Sequence, residues 1–343
     1  MKDVGREEAI GQGEDFTVGA FHPEDAPGIV RLFRAVYGEH YPIRLFYDPA
    51  AIVKANMGGA YYSIVARKAA GEVIGVNHLY PSAPYPGLYE SGVGLVLKEY
   101  RNTGANGRML DFLYNDFVPA NSHIEEVFGE AVCNHPYMQK AIRTFRYVET
   151  GIEVALMPAE AYDKERSARG RVATLAAFRC YRPGMHRICL PPAYEMILRR
   201  IYERLDDQRD IGVATEKIPE DTVTQAQMTV FDSAGVARMA VHQIGTDLGD
   251  CIFNLERRAQ AQKAVVFQIW LNLTAPWVGE AVEILRRAGY FFGGALPRWF
   301  NGDGLLLQKL LCSPDFESIV LDADFPRELL EVIQADWRRV NEI

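Results

Sequence analysis

The stretch from Gly94 to Phe117 restricts the possible folds of this chain more than any other. Gly94-Leu95-Val96-Leu97 reads as the end of an apolar strand, Lys98 to Gly107 as a basic, glycine-containing turn, and Arg108 to Phe117 as a helix. In that helix Met109, Leu110, Leu113, Tyr114 and Phe117 recur at helical spacing. Gly104 and Gly107 let the backbone approach a ligand with no Cβ in the way. The first amide groups of a helix have no intrahelical partner and point outward, so such a turn suits an anion, phosphate above all. An ordinary strand-to-helix turn containing glycine shows the same pattern.

The bulk numbers limit what this turn can serve. A chain of 343 residues suits two domains. A hydrophobic content of 48% beside 24% charged residues is that of a globular protein. A formal charge of -8 argues against nucleic-acid binding by general phosphate attraction, although Arg101 and Arg108 supply a local basic site. No apolar run is long enough for a membrane span, so no membrane partner is expected. The five cysteines, Cys133, Cys180, Cys189, Cys251 and Cys312, lack C-x-x-C spacing, and their odd number argues against a disulfide framework or zinc site. A reducing cytoplasm is the expected location, with no metal.

Val96 to Leu110 resembles the acetyl-CoA pyrophosphate loop of the GNAT acetyltransferase superfamily, written Arg/Gln-x-x-Gly-x-Gly/Ala. Arg101 and Gly104 match; Asn106 stands where Gly or Ala is usual, with Gly107 one residue later. The element order over residues 15–182, β-α-α-β-β-β-α-β-α-β-β, also resembles that of the superfamily. Its strands are expected at Phe16–Phe21, Tyr61–Arg67, Val73–Tyr80, Tyr89–Leu97, Glu125–Val132, Gly151–Met157 and Arg171–Tyr181. Helices are expected after His22-Pro23, at Pro49–Met57, and from Pro136 to Phe145.

The resemblance implies acetyl-CoA as donor and a small-molecule or peptide amine as acceptor, with homo-oligomerisation left open. It places the backbone of Leu95, Val96 and Leu97 along the pantetheine arm. Arg101, Asn102, Thr103, Gly104, Ala105, Asn106 and Gly107 would surround the pyrophosphate, and Asn134 would meet the cysteamine end. The tyrosine that often acts as general acid in the superfamily would fall near Ile142, which has no proton to give.

Acetyl transfer needs a base for the amine and an acid for the thiolate. Glu90 and Glu130 are the candidate bases, since a partly shielded carboxylate can titrate near neutrality. For each one singly, a solvated or salt-bridged carboxylate is the plainer reading. His135 and Tyr137 are candidate acids, although His135 before a proline can also serve only as a helix cap. Cys133 with His135 lacks an orienting third group and reads as a buried structural cysteine. Tyr37, Tyr41, Tyr47 and Tyr85 fall in segments that the resemblance assigns to the acceptor pocket, where aromatic faces can hold an amine. Core packing is the plainer role for them.

Arg182-Pro183-Gly184 reads as a domain boundary. Residues 1–14 are then a loose tail, 15–182 a GNAT-like acetyltransferase domain, and 183–343 a second GNAT-like domain with a terminal helix. The fold class is α+β, a mixed α/β architecture in which each domain has a mostly antiparallel sheet flanked by helices. Asn272 and Ala281–Tyr290 resemble a second copy of the superfamily's Asn…Leu-Gly-Phe helix. The corresponding turn, Gly245-Thr246-Asp247-Leu248-Gly249-Asp250, has no base and two carboxylates, which are expected to cap their own helix and repel an anion. This second copy is read as degenerate. The loop Pro297–Gly304, with Trp299 and Phe300, is read as a hairpin turn rather than a lid.

The sequence thus points to an N-acetyltransferase acting by direct attack in a ternary complex. The alternative is a non-catalytic CoA-binding or regulatory module that keeps the fold. A dehydrogenase is disfavoured, because no G-x-G-x-x-G follows the first strand.

Overall fold

The computed structural model describes residues 16–158, 170–300 and 302–341; the tail expected over 1–14 lies outside them. The chain divides into two compact units, one holding the described residues to 81 together with 89–123, the other 82–88 together with those from 124 onward. The division expected at residues 182 and 183 therefore lies inside the second unit. No helix among the described residues is long and apolar enough to cross a membrane.

The first unit is built on antiparallel strands β1 (Phe16–Ala20), β2 (Tyr62–Lys68), β3 (Val73–Tyr80) and β4 (Leu88–Val96), in that order. Beyond the turn at Ala70-Gly71 the β2–β3 pairing starts with Arg67 opposite Val73, and a one-residue shift between Arg67 and Ala66 then places Ser63 opposite His78 and Val65 opposite Val76. Helices α1 (Ala26–Tyr37) and α2 (Pro49–Met57) supply Ile29, Leu32, Phe33 and Ile52 to one core with Phe46, Val65, Val76 and Leu95. Before α1, Asp25 accepts the His22 amide at 2.6 Å and forms a buried ion pair with Arg67 of β2. A continuous helical run then comprises α3 (Ala105–Asp111), a π-helical segment (Phe112–Phe117) and α4 (Val118–Ala120). It begins three residues earlier than the apolar periodicity indicates, because Gly104 ends the turn in the left-handed region, at φ 80°.

The second unit contains β5 (Glu126–Val132), α5 (Tyr137–Thr144), β6 (Val148–Pro158), β7 (Arg171–Cys180), β8 (Met185–Leu190), α6 (Glu195–Tyr202) and β9 (Gln208–Val213). There follow β10 (Gln225–Phe231), β11 (Val236–Gln243), α7 (Leu248–Ala261), β12 (Val266–Asn272), α8 (Val278–Arg287), β13 (Phe291–Leu296), β14 (Gly304–Leu310) and α9 (Asp324–Asn341). Its main sheet runs β5-β7-β6-β13-β14-β12-β11-β10, antiparallel except between β11 and β12. Strand β9, which pairs in parallel with β8, has no apolar run to announce it, since its side chains are largely exposed.

Strands β6 and β13 meet through one pair, Gly151 opposite Gly294. A Cβ on Gly294 would lie 2.2 Å from the Gly151 Cα, so only glycine permits that approach. This joint is why residues on either side of the expected boundary share a sheet.

Arg298, in the β13–β14 loop, is the polar centre of the second unit. Its guanidinium pairs with Glu125, lies 3.2 Å from Asp207 and 3.6 Å from Glu126, and donates to the Arg182 carbonyl at 2.6 Å. Nearby, Arg209 pairs with the fully buried Asp303 at 2.5 Å. Trp299 and Phe300 are buried in an aromatic core with Phe128, Phe178 and Trp270, so the loop is a turn between core strands. Glu126, Cys180 and Asp207 bring potential ligand atoms within 4.8 Å of one another, a grouping that their sequence separation hides. The Arg298 guanidinium already lies between the two carboxylates, so the cluster reads as an ion-pair hub.

Burial, reinforced by Asp303 and Asp207 and opposed by Arg209 and Arg298, pushes the Glu126 carboxyl up to about 8. Burial alone would raise Asp207 too, but hydrogen bonds from His186 and the Gly184 amide, with Arg298 beside it, hold it at about 2.

Two outcomes are expected. Arg298→Met strands buried carboxylates and should cost about 3–5 kcal/mol in urea unfolding. Glu126 is protonated in the folded chain between about pH 4.5 and 8, where the unfolded chain releases that proton. Its stabilisation is therefore complete below about pH 4.5 and lost as pH rises through about 8. Unfolding curves across this window should show a shallower decline for Glu126→Gln than for the wild type.

Candidate functional site

The first unit carries the site that its glycine turn announces. Strand β4 does not run straight into the turn. Val76 pairs with Leu95 and His78 with Gly92, so Val93 and Gly94 together oppose the single residue Asn77. At this bulge Val93 adopts φ 54°, a left-handed conformation rare for a β-branched residue. A Cβ on Gly94 would fall 2.0 Å from Asn77 Oδ1, so any side chain there has to displace the buried Asn77 amide. Asn77 in turn donates through Nδ2 to Asn106 Oδ1 at 3.2 Å. The residue that departs from the superfamily pattern thus ties the helix start to the bulge.

Beyond the bulge, Leu95 packs into the core with Val93 and Leu97 alongside, leaving any contact with a ligand to their backbone. The Thr103 hydroxyl donates to the Tyr100 carbonyl at 2.8 Å and closes the turn. The first intrahelical bond runs from the Arg108 amide to the Gly104 carbonyl at 2.9 Å. The amides of Ala105, Asn106 and Gly107 precede it and head the helix. Arg101, Asn102, Gly104 and Gly107 are exposed, and a Cβ on either glycine would meet nothing within 4 Å. This open, amide-headed turn with an exposed arginine can receive a phosphate group. Arg108 is directed elsewhere, with its guanidinium over the Phe16 ring at 4.3 Å.

Glu90 lies on β4 three residues before the bulge and accepts a hydrogen bond from the Tyr80 hydroxyl at 2.6 Å. The Tyr80 ring is 5.1 Å from that of Tyr61. Tyr37 and Tyr41 lie 4.8 Å apart, and the Tyr41 amide donates to the Tyr47 hydroxyl at 2.9 Å. Phe33 and Phe46, stacked at 4.3 Å, form the floor beneath them. Burial, with Tyr37, Tyr61, Glu90 and Tyr47 around it, raises the Tyr41 hydroxyl well above its usual range. Glu90, Tyr37, Tyr41 and Tyr47 are thus gathered in one region. Sequence reasoning missed Tyr61, Tyr80 and His78, which complete it.

His78 is fully buried; Ser63 Oγ lies 2.8 Å from its Nδ1, and burial pushes its pKa down to about 3. Its pairing with Ser63 depends on the register shift between Ala66 and Arg67, since counting from the Ala70-Gly71 turn alone would set Ser63 opposite Asn77.

The remaining candidates belong to the second unit. Glu130 lies 3.0 Å from the Arg238 guanidinium, which also reaches Glu153 at 3.2 Å. Burial and the neighbouring Glu130 raise the Glu153 carboxyl, against the pull of Arg238, Thr174 and Gln268. Glu130 is therefore part of a shared ion pair. Tyr85 donates to Glu125 at 2.9 Å, beside Arg298, and is grouped with the second unit rather than with the other tyrosines. Asn134 and His135 are half-buried before α5, and the Tyr137 ring, 5.0 Å from that of His135, is 75% exposed. Burial, then Glu153, pushes the Cys133 thiol up to about 12, which leaves no thiolate at neutral pH. A cavity of about 410 Å³ is lined by Ser82, Gln227, Thr229, Arg238, His242 and Trp270, among others.

The second glycine turn is built differently. A Cβ on Gly245 would lie 2.4 Å from the backbone at Thr222 and Thr224, so the chain itself occupies the space that is open at Gly104. Asp247 does not cap its helix with its side chain; its carboxylate accepts the Thr224 amide at 2.7 Å, which lowers its pKa. Strands β11 and β12 pair without interruption from Val236–Val266 to Val241–Leu271.

No family model and no curated protein matches the sequence. About half of the chain is similar to solved acetyltransferases of the GNAT superfamily. The ribosomal-protein-S18-alanine N-acetyltransferase from Escherichia coli is 11% identical, with a TM-score of 0.38 over 50% of this chain and 96% of that one. A GNAT phosphinothricin acetyltransferase from Sinorhizobium meliloti, solved with AcCoA, is 19% identical, with a TM-score of 0.39 over 49% and 90%. The ribosomal-protein-S5-alanine acetyltransferase from Vibrio fischeri is 13% identical, with a TM-score of 0.39 over 50% and 95%.

Gly94→Ala should drive a methyl group into Asn77 and cost about 1–3 kcal/mol in urea unfolding. If the variant matches the wild type, the bulge tolerates a side chain and its glycine is dispensable.

Proposed function

We propose that this chain is an N-acetyltransferase that takes its acetyl group from acetyl-CoA and passes it to an amine by direct attack. The observation that carries this reading is the contrast between the two glycine turns. The turn at Gly104 is open, heads a helix and has Arg101 exposed beside it, whereas the turn at Gly245 is filled by its own chain. The pyrophosphate of CoA is thus assigned to Gly104–Gly107, once per chain, and the second copy binds none.

Acetyl-CoA supplies a thioester, whose C–S bond breaks as the acceptor nitrogen forms its C–N bond. Glu90 is assigned as the base that takes the amine proton, directly or through a water, with the Tyr80 hydroxyl fixing its orientation at 2.6 Å. The departing thiolate takes up a proton from water. Glu130 is passed over for this role because its carboxylate is held by Arg238.

Calorimetric titration with acetyl-CoA tests the assignment. One site per chain is expected, weakened at least tenfold in Gly107→Phe. A Cβ on Gly107 would meet nothing within 4 Å beyond its own helix, and Gly107 is not among the residues with positive φ, so the folded chain should accept that side chain. Unchanged affinity in the variant would move the pyrophosphate elsewhere, and two sites would restore the second turn. In a thiol-release assay with an accepted amine, Glu90→Gln should lower kcat by about 10²–10⁴-fold while leaving acetyl-CoA affinity intact.

A further inference from the structure

We propose that the tyrosine cluster of the first unit, closed on one side by Glu90, is an aromatic cage for an organic ammonium ion, so that the acceptor is a cationic amine on an apolar body. This rests on the acetyl-transfer reading above, since it names that reaction's substrate class.

Tyr37, Tyr41, Tyr61 and Tyr80 are each partly exposed; the first three pack against the buried core of Phe33 and Phe46, and Tyr80 adjoins them through Tyr61. The Tyr61 ring is edge-on to Phe46 at 5.5 Å, and the Tyr41 ring is edge-on to Phe33 at 5.1 Å. The Tyr37–Tyr41 and Tyr61–Tyr80 pairs are tilted by 32° and 33°, and a partly exposed aromatic face attracts a cation through its quadrupole. The floor adds no cation of its own, because His78 beneath Phe46 and Tyr61 is held neutral by burial. Glu90, bonded to Tyr80, is the carboxylate in contact with the cluster, and its charge is felt by both Tyr41 and Tyr61. One anion among several ring faces suits a single positive charge surrounded by hydrocarbon. An amine bearing its own carboxylate beside the nitrogen would be repelled by Glu90.

The probe is phenyltrimethylammonium, a quaternary ion with no N–H to acetylate, compared with its neutral isostere tert-butylbenzene analogue bearing a hydroxyl for solubility. Titration followed by ligand-observed NMR should show the cation binding at least tenfold tighter than the neutral compound. Tyr61→Phe, which keeps the ring, should retain that affinity, whereas Tyr61→Leu and Glu90→Gln should each lose at least tenfold. Circular dichroism confirms that the variants are folded, and Tyr61→Phe guards against a loss due to packing alone. Equal binding of cation and neutral isostere, no binding of the cation, or full affinity in Tyr61→Leu would overturn the cage. Cation binding without acetyl transfer to any amine would instead overturn the transfer reading and leave the cage standing.

Discussion

Much of the second unit depends on one buried guanidinium. Arg298 gathers Glu125 and Glu126 at the start of β5, Asp207 before β9 and the Arg182 carbonyl after β7. Arg298, Glu126 and Asp207 have left water, while Glu125 stays partly exposed, and a buried charge is tolerated only when it is paired and hydrogen-bonded. The arrangement is also frustrated: it holds more carboxylates than Arg298 and Arg209 can neutralise. Glu126 carries the excess by keeping its proton, while Asp207, with more donors, remains ionised. Polar interactions therefore fix the geometry at one side of the β5 strand, and the aromatic core of Phe128, Phe178, Trp270 and Trp299 fills the space beside it.

The first unit concentrates its unusual backbone at one place. Val93 is held at positive φ, Gly94 leaves room for Asn77, and Asn77 holds Asn106 at the head of the helix. A strained β-branched residue persists only where its surroundings over-determine it, and such strain often marks a functional site. The bulge also redirects the strand, so that Glu90 and the turn at Gly104 are parts of one construction. The filled turn at Gly245 and the continuous β11–β12 ladder show a similar element order without that construction. Similar order can thus accompany a different local chemistry.

Much of the local structure was legible. Pro49–Met57 and Val73–Tyr80 stand where apolar periodicity and turn residues place them. Strand β9 was not legible, because an exposed strand pairing only with β8 needs no apolar alternation. The early start of α3 was hidden for a related reason: periodicity detects the buried face of a helix, and the residues that open this one are capped by a glycine conformation instead. Part of the candidate site was legible, as with Glu90 and Tyr41. The Ser63–His78 pair was not, because a one-residue shift near Ala66 moves Ser63 from Asn77 to His78, and nothing short of the folded chain brings Tyr41 and Tyr61 around Glu90.

Backbone propensity, apolar period and turn chemistry act over a few residues, so the chain's own pattern is enough for most of the elements and for the glycine turn. Tertiary structure alone decided which charges meet. Glu130 and Arg238 are 108 residues apart and pair because their strands, distant in the sheet order, face one another in the same unit. Arg298 reaches Glu125 across 173 residues for the same kind of reason. It also decided that Gly104 faces open space and Gly245 does not. The physical reason is that a carboxylate's role is set by burial and by its neighbours, and both follow from strand order and register rather than from the residues beside it in the chain.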